Sequence, residues 1–226
     1  GDFFFLEQPD AFAQQRLVVD LVSRRLPKSY GYDPLRDIQV ITPAKQGPLG
    51  TRELNRLLQG KLNPPERGKG EATLMGRTLR EGDKVMQIRN NYDIIWQQPD
   101  GTAGTGIFNG DMGIIEMLDP GSKTIQVRFE EKLATYSFEN QDQLEHAYAV
   151  TVHKSQGSEF EAVVMPLERR HPKLHYRNLL YTAVTRARKL LIMTGQKETV
   201  YAMVQNNRRT LRYTNQKEML QEMCDE

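Results

Sequence analysis

Two runs in the last third of the chain hold the residues best suited to chemistry. The first is Thr151-Val152-His153-Lys154-Ser155-Gln156-Gly157-Ser158-Glu159-Phe160, and the second is Tyr181-Thr182-Ala183-Val184-Thr185-Arg186-Ala187-Arg188-Lys189. Hydroxyl, imidazole and ammonium groups such as those of Thr151, His153 and Lys154 are ordinary phosphate contacts that read no base sequence. A guanidinium, as at Arg186 and Arg188, stays charged and can grip two phosphate oxygens at once. Both runs therefore point to the handling of phosphates. From Glu168 to Lys189 the basic residues are Arg169, Arg170, Lys173, Arg177, Arg186, Arg188 and Lys189, against Glu168 alone. Such a stretch is either a solvated face or a phosphate-facing surface.

These residues need elements to hold them. Asn178 to Lys189 reads as a helix, because Leu180, Ala183, Val184, Ala187 and Leu191 recur on one apolar stripe. Asn178, Thr182, Thr185, Arg186 and Lys189 fall on a separate polar stripe. Arg186 and Arg188 lie about 200° apart on such a helix and cannot serve one ligand group equally. Tyr148 to Gln156 also reads as helical, with Gly157 as its C-cap. Val163-Val164-Met165 and Leu190 to Gly195 are buried strands. Upstream, Asp10 to Leu26 is predicted as a helix stopped at Pro27. Ile38 to Ile41 is a short strand ending at Thr42-Pro43. A second helix follows Gly50, with Thr51 as N-cap and Asn63-Pro64-Pro65 as its end. Helices alternating with short buried strands indicate an α/β domain with a parallel sheet.

Between about Met75 and Phe138 the texture changes to short strand-like runs separated by turn signals. These are Val85 to Ile88, Ile107-Phe108 before the Asn109-Gly110 turn, Ile114 to Leu118, and the alternating Ile125, Val127 and Phe129. A small all-β barrel or sheet inserted into the larger domain is expected, with 1–75 and 140–226 as the larger domain and 76–139 as the insert. Gly101 to Gly106 reads as a flexible tip.

Composition bounds the rest. Across 226 residues, 38% are hydrophobic and 27% charged, and the net charge is only +2. No apolar run approaches the roughly 20 residues that span a bilayer, so no membrane role is expected. Phe3-Phe4-Phe5-Leu6 is too short for a signal-peptide core and lacks a basic lead. The single cysteine, Cys224, excludes an internal disulfide and a cysteine-built zinc site, and it fits a reducing cytoplasm. His146, His153, His171 and His175 lack metal-ligand spacing, so no metal site is expected in the chain. There is no G-x-S-x-G and no nuclease carboxylate cluster. Nor is there a G-x-x-x-x-G-K-[ST] phosphate loop, which a nucleotide-hydrolysing motor needs.

As they stand, the two opening runs closely resemble motifs V and VI of superfamily 1 DNA helicases, in particular the RecD-like branch. The stretch Ile41 to Thr51, followed by Leu54-Asn55, Leu58-Gln59 and Leu62-Asn63-Pro64, resembles the same family. Gly82 to Gln87, Asn90-Asn91-Tyr92 and Phe108 to Gly113 resemble its Src-homology-3-like insertion. The resemblance implies a RecA-like second motor lobe with an inserted small barrel, belonging to a 5′→3′ helicase driven by ATP and Mg²⁺. An N-terminal lobe with the phosphate loop and acidic motif would bind most of the ATP and Mg²⁺.

Carried onto this sequence, the resemblance makes Arg186 the catalytic arginine that reaches the γ-phosphate. It puts Gly157 and Glu159 on the nucleotide side, Glu159 toward the ribose or an ordered water. Arg188 has three open readings: a nucleotide contact, a carboxylate partner, or a solvated side chain. Thr42, Lys45, Thr151, His153 and Lys154 fall toward single-stranded DNA, although Lys45 is equally readable as a solvated loop residue. Tyr92 and Trp96 suit either base stacking or packing. The partners implied are single-stranded DNA, the N-terminal lobe, and nuclease–helicase subunits of a larger assembly. The rival expectation is a non-catalytic nucleic-acid-binding or partner-docking module of a recombination complex.

Overall fold

The computed structural model describes residues 1–169 and 174–207. Arg170, His171, Lys173, Cys224 and most of the polar tail expected to be partly helical lie outside them.

The chain opens on strand β1 (Asp2–Glu7), so the Phe3 to Leu6 run has a place in a sheet. Helix α1 (Ala11–Asp20) is capped by the Asp10 carboxylate, which accepts the Ala13 N–H. It passes through a π-helical turn at Leu21–Arg25 into α2 (Leu26–Tyr30). The helix therefore runs through Pro27, where the sequence predicts a stop. The Leu26 N–H bonds back five residues to the Leu21 carbonyl. This wider turn accommodates the missing proline N–H, as π-bulges do in helices that would otherwise kink.

Strand β2 (Ile38–Thr42) follows, then α3 (Thr51–Leu62). Gly50, not Thr51, is the N-cap. The first helical N–H groups, of Thr51 and Arg52, bond to the carbonyls of Ala44 and Lys45. The folded-back loop meets the need a hydroxyl cap would have served.

The insert begins with a ribbon of β3 (Glu71–Leu74) and β4 (Arg77–Arg80). Its main sheet comprises β5 (Lys84–Gln87), β6 (Asn91–Gln97), β7 (Ala103–Ile107), β8 (Met112–Asp119), β9 (Thr124–Phe129), β10 (Lys132–Ser137) and β11 (Leu144–His146). These seven pair in the order β11-β5-β8-β9-β10-β6-β7, all antiparallel. The expected tight turn is present, with the Asp111 N–H bonded to the Phe108 carbonyl. Gly101 to Gly106 is not a loose tip. Its second half is β7, drawn into the sheet because Gly104 lies flat against Trp96, where any Cβ would sit 2.5 Å from the ring.

The larger domain resumes with β12 (Ala149–Thr151), a 3₁₀ turn at Val152–Ser155, β13 (Phe160–Pro166), α4 (Arg177–Val184), β14 (Ala187–Gly195) and α5 (Lys197–Gln205). Five strands form a wholly parallel sheet in the order β1-β14-β13-β2-β12. Alternate residues face opposite layers. Val40, Ala162, Val164 and Ile192 pack under Val18, Leu21, Leu54 and Leu58 of the first helices. Ile41, Val163, Met165, Leu191 and Met193 pack under Leu179, Leu180 and Ala183 of α4 and Met203 of α5. The α/β architecture with an inserted all-β domain is as expected.

Two helical expectations fail. Tyr148 to Gln156 is strand and 3₁₀ turn, because Ala149, Val150 and Thr151 pair with Val40, Ile41 and Thr42. The helix predicted to Lys189 ends at Val184. Thr185 turns its hydroxyl onto the carbonyls of Tyr181 and Thr182. The chain then extends, so that Ala187 pairs with Phe160. Arg188 and Lys189 are thus strand residues, and Arg186 sits in the turn before them.

Barrel and lobe share β5. Val85 faces the barrel core with Leu79 and Val127, while Met86 joins the lobe core with Ile41, Val150 and Val152. Lys84 also faces the lobe, only 5% exposed, with its ammonium 3.4 Å from the Ile38 carbonyl and over the Phe160 ring. Burial lowers its pKa to about 8, against the pull of Asp33 and Asp37.

Beside it, the fully buried Asp83 carboxylate accepts from Gln59 (2.7 Å), Asn63 (2.7 Å), the Arg80 backbone (2.8 Å), Tyr148 (2.8 Å) and His146 (3.1 Å). Burial alone would raise its pKa, but the His146, Asn63 and Arg80 hydrogen bonds win and hold it below the usual carboxylate range. Sequence reasoning missed this junction. Its partners come from α3, β4, β11 and the approach to β12, segments that no local pattern connects.

Candidate functional site

Register places the expected site residues at two opposite edges of the parallel sheet. Thr42 pairs with Thr151 at the carboxyl ends of β2 and β12. Phe160 pairs with Ala187 at the amino ends of β13 and β14, and Ala162 lies level with Ile38, the first residue of β2. The segment from Thr151 to Phe160 therefore runs back across the sheet by about the length of β2, roughly 17 Å at 3.3 Å per residue. One run serves both edges.

At the carboxyl edge the hydroxyls are already committed. Thr42 is buried, and its hydroxyl donates to the Leu49 carbonyl at 2.6 Å, shaping the loop that carries Lys45. Thr151 is buried too, and its hydroxyl accepts the Lys154 N–H, capping the 3₁₀ turn. The groups facing outward are Lys45, exposed on its loop, and His153, whose Nε2 lies 3.4 Å from the Tyr176 hydroxyl. Lys154 is half-buried and ion-paired with Glu145 at 2.6 Å.

At the amino edge Gly157 adopts φ +86°, a left-handed turn that favours glycine, and nothing crowds its Cα. The next turn brings the two runs together. The Phe160 N–H bonds to the Arg186 carbonyl at 2.8 Å. The Arg186 guanidinium donates to the carbonyls of Thr182 and Ser158 and to the Thr185 hydroxyl, each at 3.1 Å. All three acceptors are neutral, and among the described residues no carboxylate pairs with it. Arg188 differs. It is ion-paired with Glu159 at 2.9 Å and lies 4.0 Å from Glu161, while Lys189 holds Glu161 at 2.7 Å. Gly157, Glu159, Arg186 and Arg188 thus gather in one place, with Glu159 directed at Arg188.

On the barrel, Tyr92 is exposed and meets Phe108 edge-on at 5.6 Å. Trp96 packs under Gly104, and the Lys132 ammonium stands 4.9 Å over its ring. Asp111 accepts the Phe108 N–H and Asn109 donates to Asn90, so both belong to the turn. No group of three His, Cys, Asp or Glu able to hold a metal occurs among the described residues. No helix among them is long and apolar enough to cross a membrane.

A parallel sheet covered by helices on both faces, with a barrel spliced into it, is a RecA-like architecture, and the runs that resemble motifs V and VI meet at one edge of it. Residues 54–129 match the ATP-dependent RecD-like DNA helicase SH3 domain, and residues 146–194 match the UvrD-like helicase C-terminal domain. The chain thus carries a RecD-like helicase SH3 domain and a UvrD-like helicase C-terminal domain. It is 35% identical over 158 residues to the ATP-dependent RecD2 DNA helicase of Deinococcus radiodurans, a match covering 70% of this chain and 20% of that one. It is 26% identical over 172 residues to the RecBCD enzyme subunit RecD of Buchnera aphidicola, covering 75% and 26%. The chain therefore spans about a fifth to a quarter of these curated relatives' length. The crystal structure of a Bacteroides Pif1 helicase in complex with ADP-AlF3 and ssDNA aligns over 95% of this chain and 50% of that one, at 16% identity and TM-score 0.48. At that distance nothing about the site follows from it.

Proposed function

We propose that this chain is the second motor lobe of an ATP-driven 5′→3′ DNA helicase. In this reading Arg186 reaches the γ-phosphate, and Lys45, His153 and Lys154 contact single-stranded DNA on a surface shaped by Thr42 and Thr151. The phosphate loop and most of the ATP and Mg²⁺ contacts come from an N-terminal lobe of the same protein. The 5′→3′ polarity rests on the RecD-like resemblance. Membership of a nuclease–helicase assembly is suggested by the name of the Buchnera relative.

The observation that carries the reading is the Arg186 guanidinium, held in a turn beside Ser158 on neutral oxygens, with no carboxylate paired to it among the described residues. A phosphate oxyanion offers the guanidinium a full negative charge and a two-oxygen grip, which these neutral oxygens do not. Transition-state charge gathered by such an arginine is worth roughly 10³–10⁵ in rate. It is the guanidinium, always charged and rich in donors, that suits this turn to an anion. The insert, expected over 76–139 and built in the structure from β3 to β11, is read as lying beside the DNA path.

The direct test is hydrolysis by the purified chain. It should turn over no ATP, with or without single-stranded DNA, because it has no phosphate loop. DNA-stimulated hydrolysis that Arg186→Ala abolishes would overturn the half-motor reading. The rival, a non-catalytic docking module, requires that the parent protein also lack a phosphate loop.

A further inference from the structure

The cation of Lys154 is engaged by a carboxylate of the chain itself, whereas Lys45, the other lysine assigned to DNA, stands exposed with no ion-pair partner among the described residues. The partner, Glu145, is the middle residue of β11, and its backbone is fixed by pairing with Met86 of β5. Its neighbour His146 is held by Asp83. Nine residues after Glu145 the chain has crossed from barrel to lobe and turned back, so that the Lys154 ammonium lies 2.6 Å from the Glu145 carboxylate. The pair is neither buried nor fully free, with side chains 25% and 44% exposed.

We infer that Glu145 is an internal stand-in for the DNA phosphate. It holds Lys154 when no strand is bound and competes with the strand for it. This rests on the proposed DNA role of Lys154 and adds a residue outside both motifs that sets affinity. A carboxylate and a phosphate offer an ammonium the same kind of charge-assisted acceptor, and one ammonium directed at Glu145 is not free to neutralise a phosphate. Binding therefore exchanges one ion pair for another, and the free energy gained at Lys154 is the difference between them. Because β11 belongs to the barrel sheet, the competing carboxylate is positioned by the barrel. The insert thereby sets how tightly the lobe grips the strand.

The test is a double-mutant cycle on single-strand affinity, using the purified chain and a labelled oligothymidylate at fixed low salt. Glu145→Gln keeps the shape and removes the charge. It should tighten binding about two- to fivefold, the range of a partly exposed ion pair. Lys154→Ala should weaken binding, and adding Glu145→Gln to Lys154→Ala should then change little. Equal tightening by Glu145→Gln with and without Lys154 would overturn the proposal, since the carboxylate would then act only through general repulsion. No tightening in the wild-type background overturns it too. If Lys154→Ala itself has no effect, the DNA role of Lys154 fails, and that is distinguishable from failure of the competition alone. Urea unfolding of Glu145→Gln close to that of the wild type would show that the affinity change is not a change of fold.

Discussion

The two edges of the parallel sheet handle charge in opposite ways. At the carboxyl edge the residues that resemble DNA contacts are largely satisfied by the protein: Thr42 by Leu49, Thr151 by the Lys154 backbone, and Lys154 by Glu145. At the amino edge Arg186 touches, among the described residues, only neutral oxygens, while Arg188, two residues on, meets a carboxylate. An arginine whose charge is answered has little left for a ligand. One whose charge is unanswered, yet whose geometry is fixed by hydrogen bonds, is ready for an anion and need not be reordered to meet it. On the proposed function, the same contrast separates a preorganised catalytic donor from a tracking surface that must release each contact.

The comparison can be broken most severely at Arg186. In the full-length parent, Arg186→Ala should slow ATP turnover by about 10³–10⁵ while single-strand affinity stays nearly unchanged. Steady-state hydrolysis and oligonucleotide titration read the two separately, and an equal fall in both would put Arg186 on the wrong edge. Arg188→Ala should slow turnover far less, because Glu159 already holds its charge.

Next in size is the junction that joins the edges to the barrel. Asp83→Ala leaves five donors without their acceptor and should cost at least about 3 kcal/mol in urea unfolding, since each buried donor left unsatisfied costs about 1–3 kcal/mol. Because the folded pKa of Asp83 is depressed, its contribution is complete above the ordinary carboxylate range. It is lost as pH falls below about 4 and through the folded value. Wild-type stability should thus drop on acidification in that window, and the Asp83→Ala protein should drop less.

The smallest effect belongs to the carboxyl edge. With two cationic contacts, single-strand affinity should fall with salt at a log–log slope of about −1.4 and show little sequence preference. Lys45→Ala should flatten that slope by about 0.7. A strong preference for one duplex sequence, or indifference to salt, would remove the tracking surface from the comparison.

Much of the scaffold was legible in the chain. Ile38 to Ile41, Val163 to Met165 and Leu190 to Gly195 are apolar runs too short for helices, and each became a central strand. Ile125, Val127 and Phe129 alternate as a half-buried strand must. The failures at Tyr148 to Gln156 and beyond Val184 share one cause: pairing partners distant in sequence override local pattern. The apolar stripe Leu180, Ala183, Val184, Ala187, Leu191 continues by coincidence through the turn at Arg186, and only the parallel register with Phe160 reveals that the helix has ended. Tyr148 to Gln156 carries polar residues at spacings a helix would tolerate, yet β2 recruits its first part as a strand. At the site, residue types and order made phosphate handling the expectation. That Thr42 and Thr151 turn their hydroxyls inward, and that Lys154 answers to Glu145, depended on groups no motif contains.

The shared strand β5 has a consequence for anyone who would cut this molecule apart. An insert joined by flexible linkers can be excised and its ends sewn together. Here the first strand of the main barrel sheet supplies Met86 to the lobe core and buries Lys84 beneath Phe160. Excising the barrel would leave a slot in the lobe, and transplanting it alone would present a hydrophobic face to water. A chimera that exchanges barrels between relatives must carry Asp83 to Met86, Gln59, Asn63 and Tyr148 as one cassette.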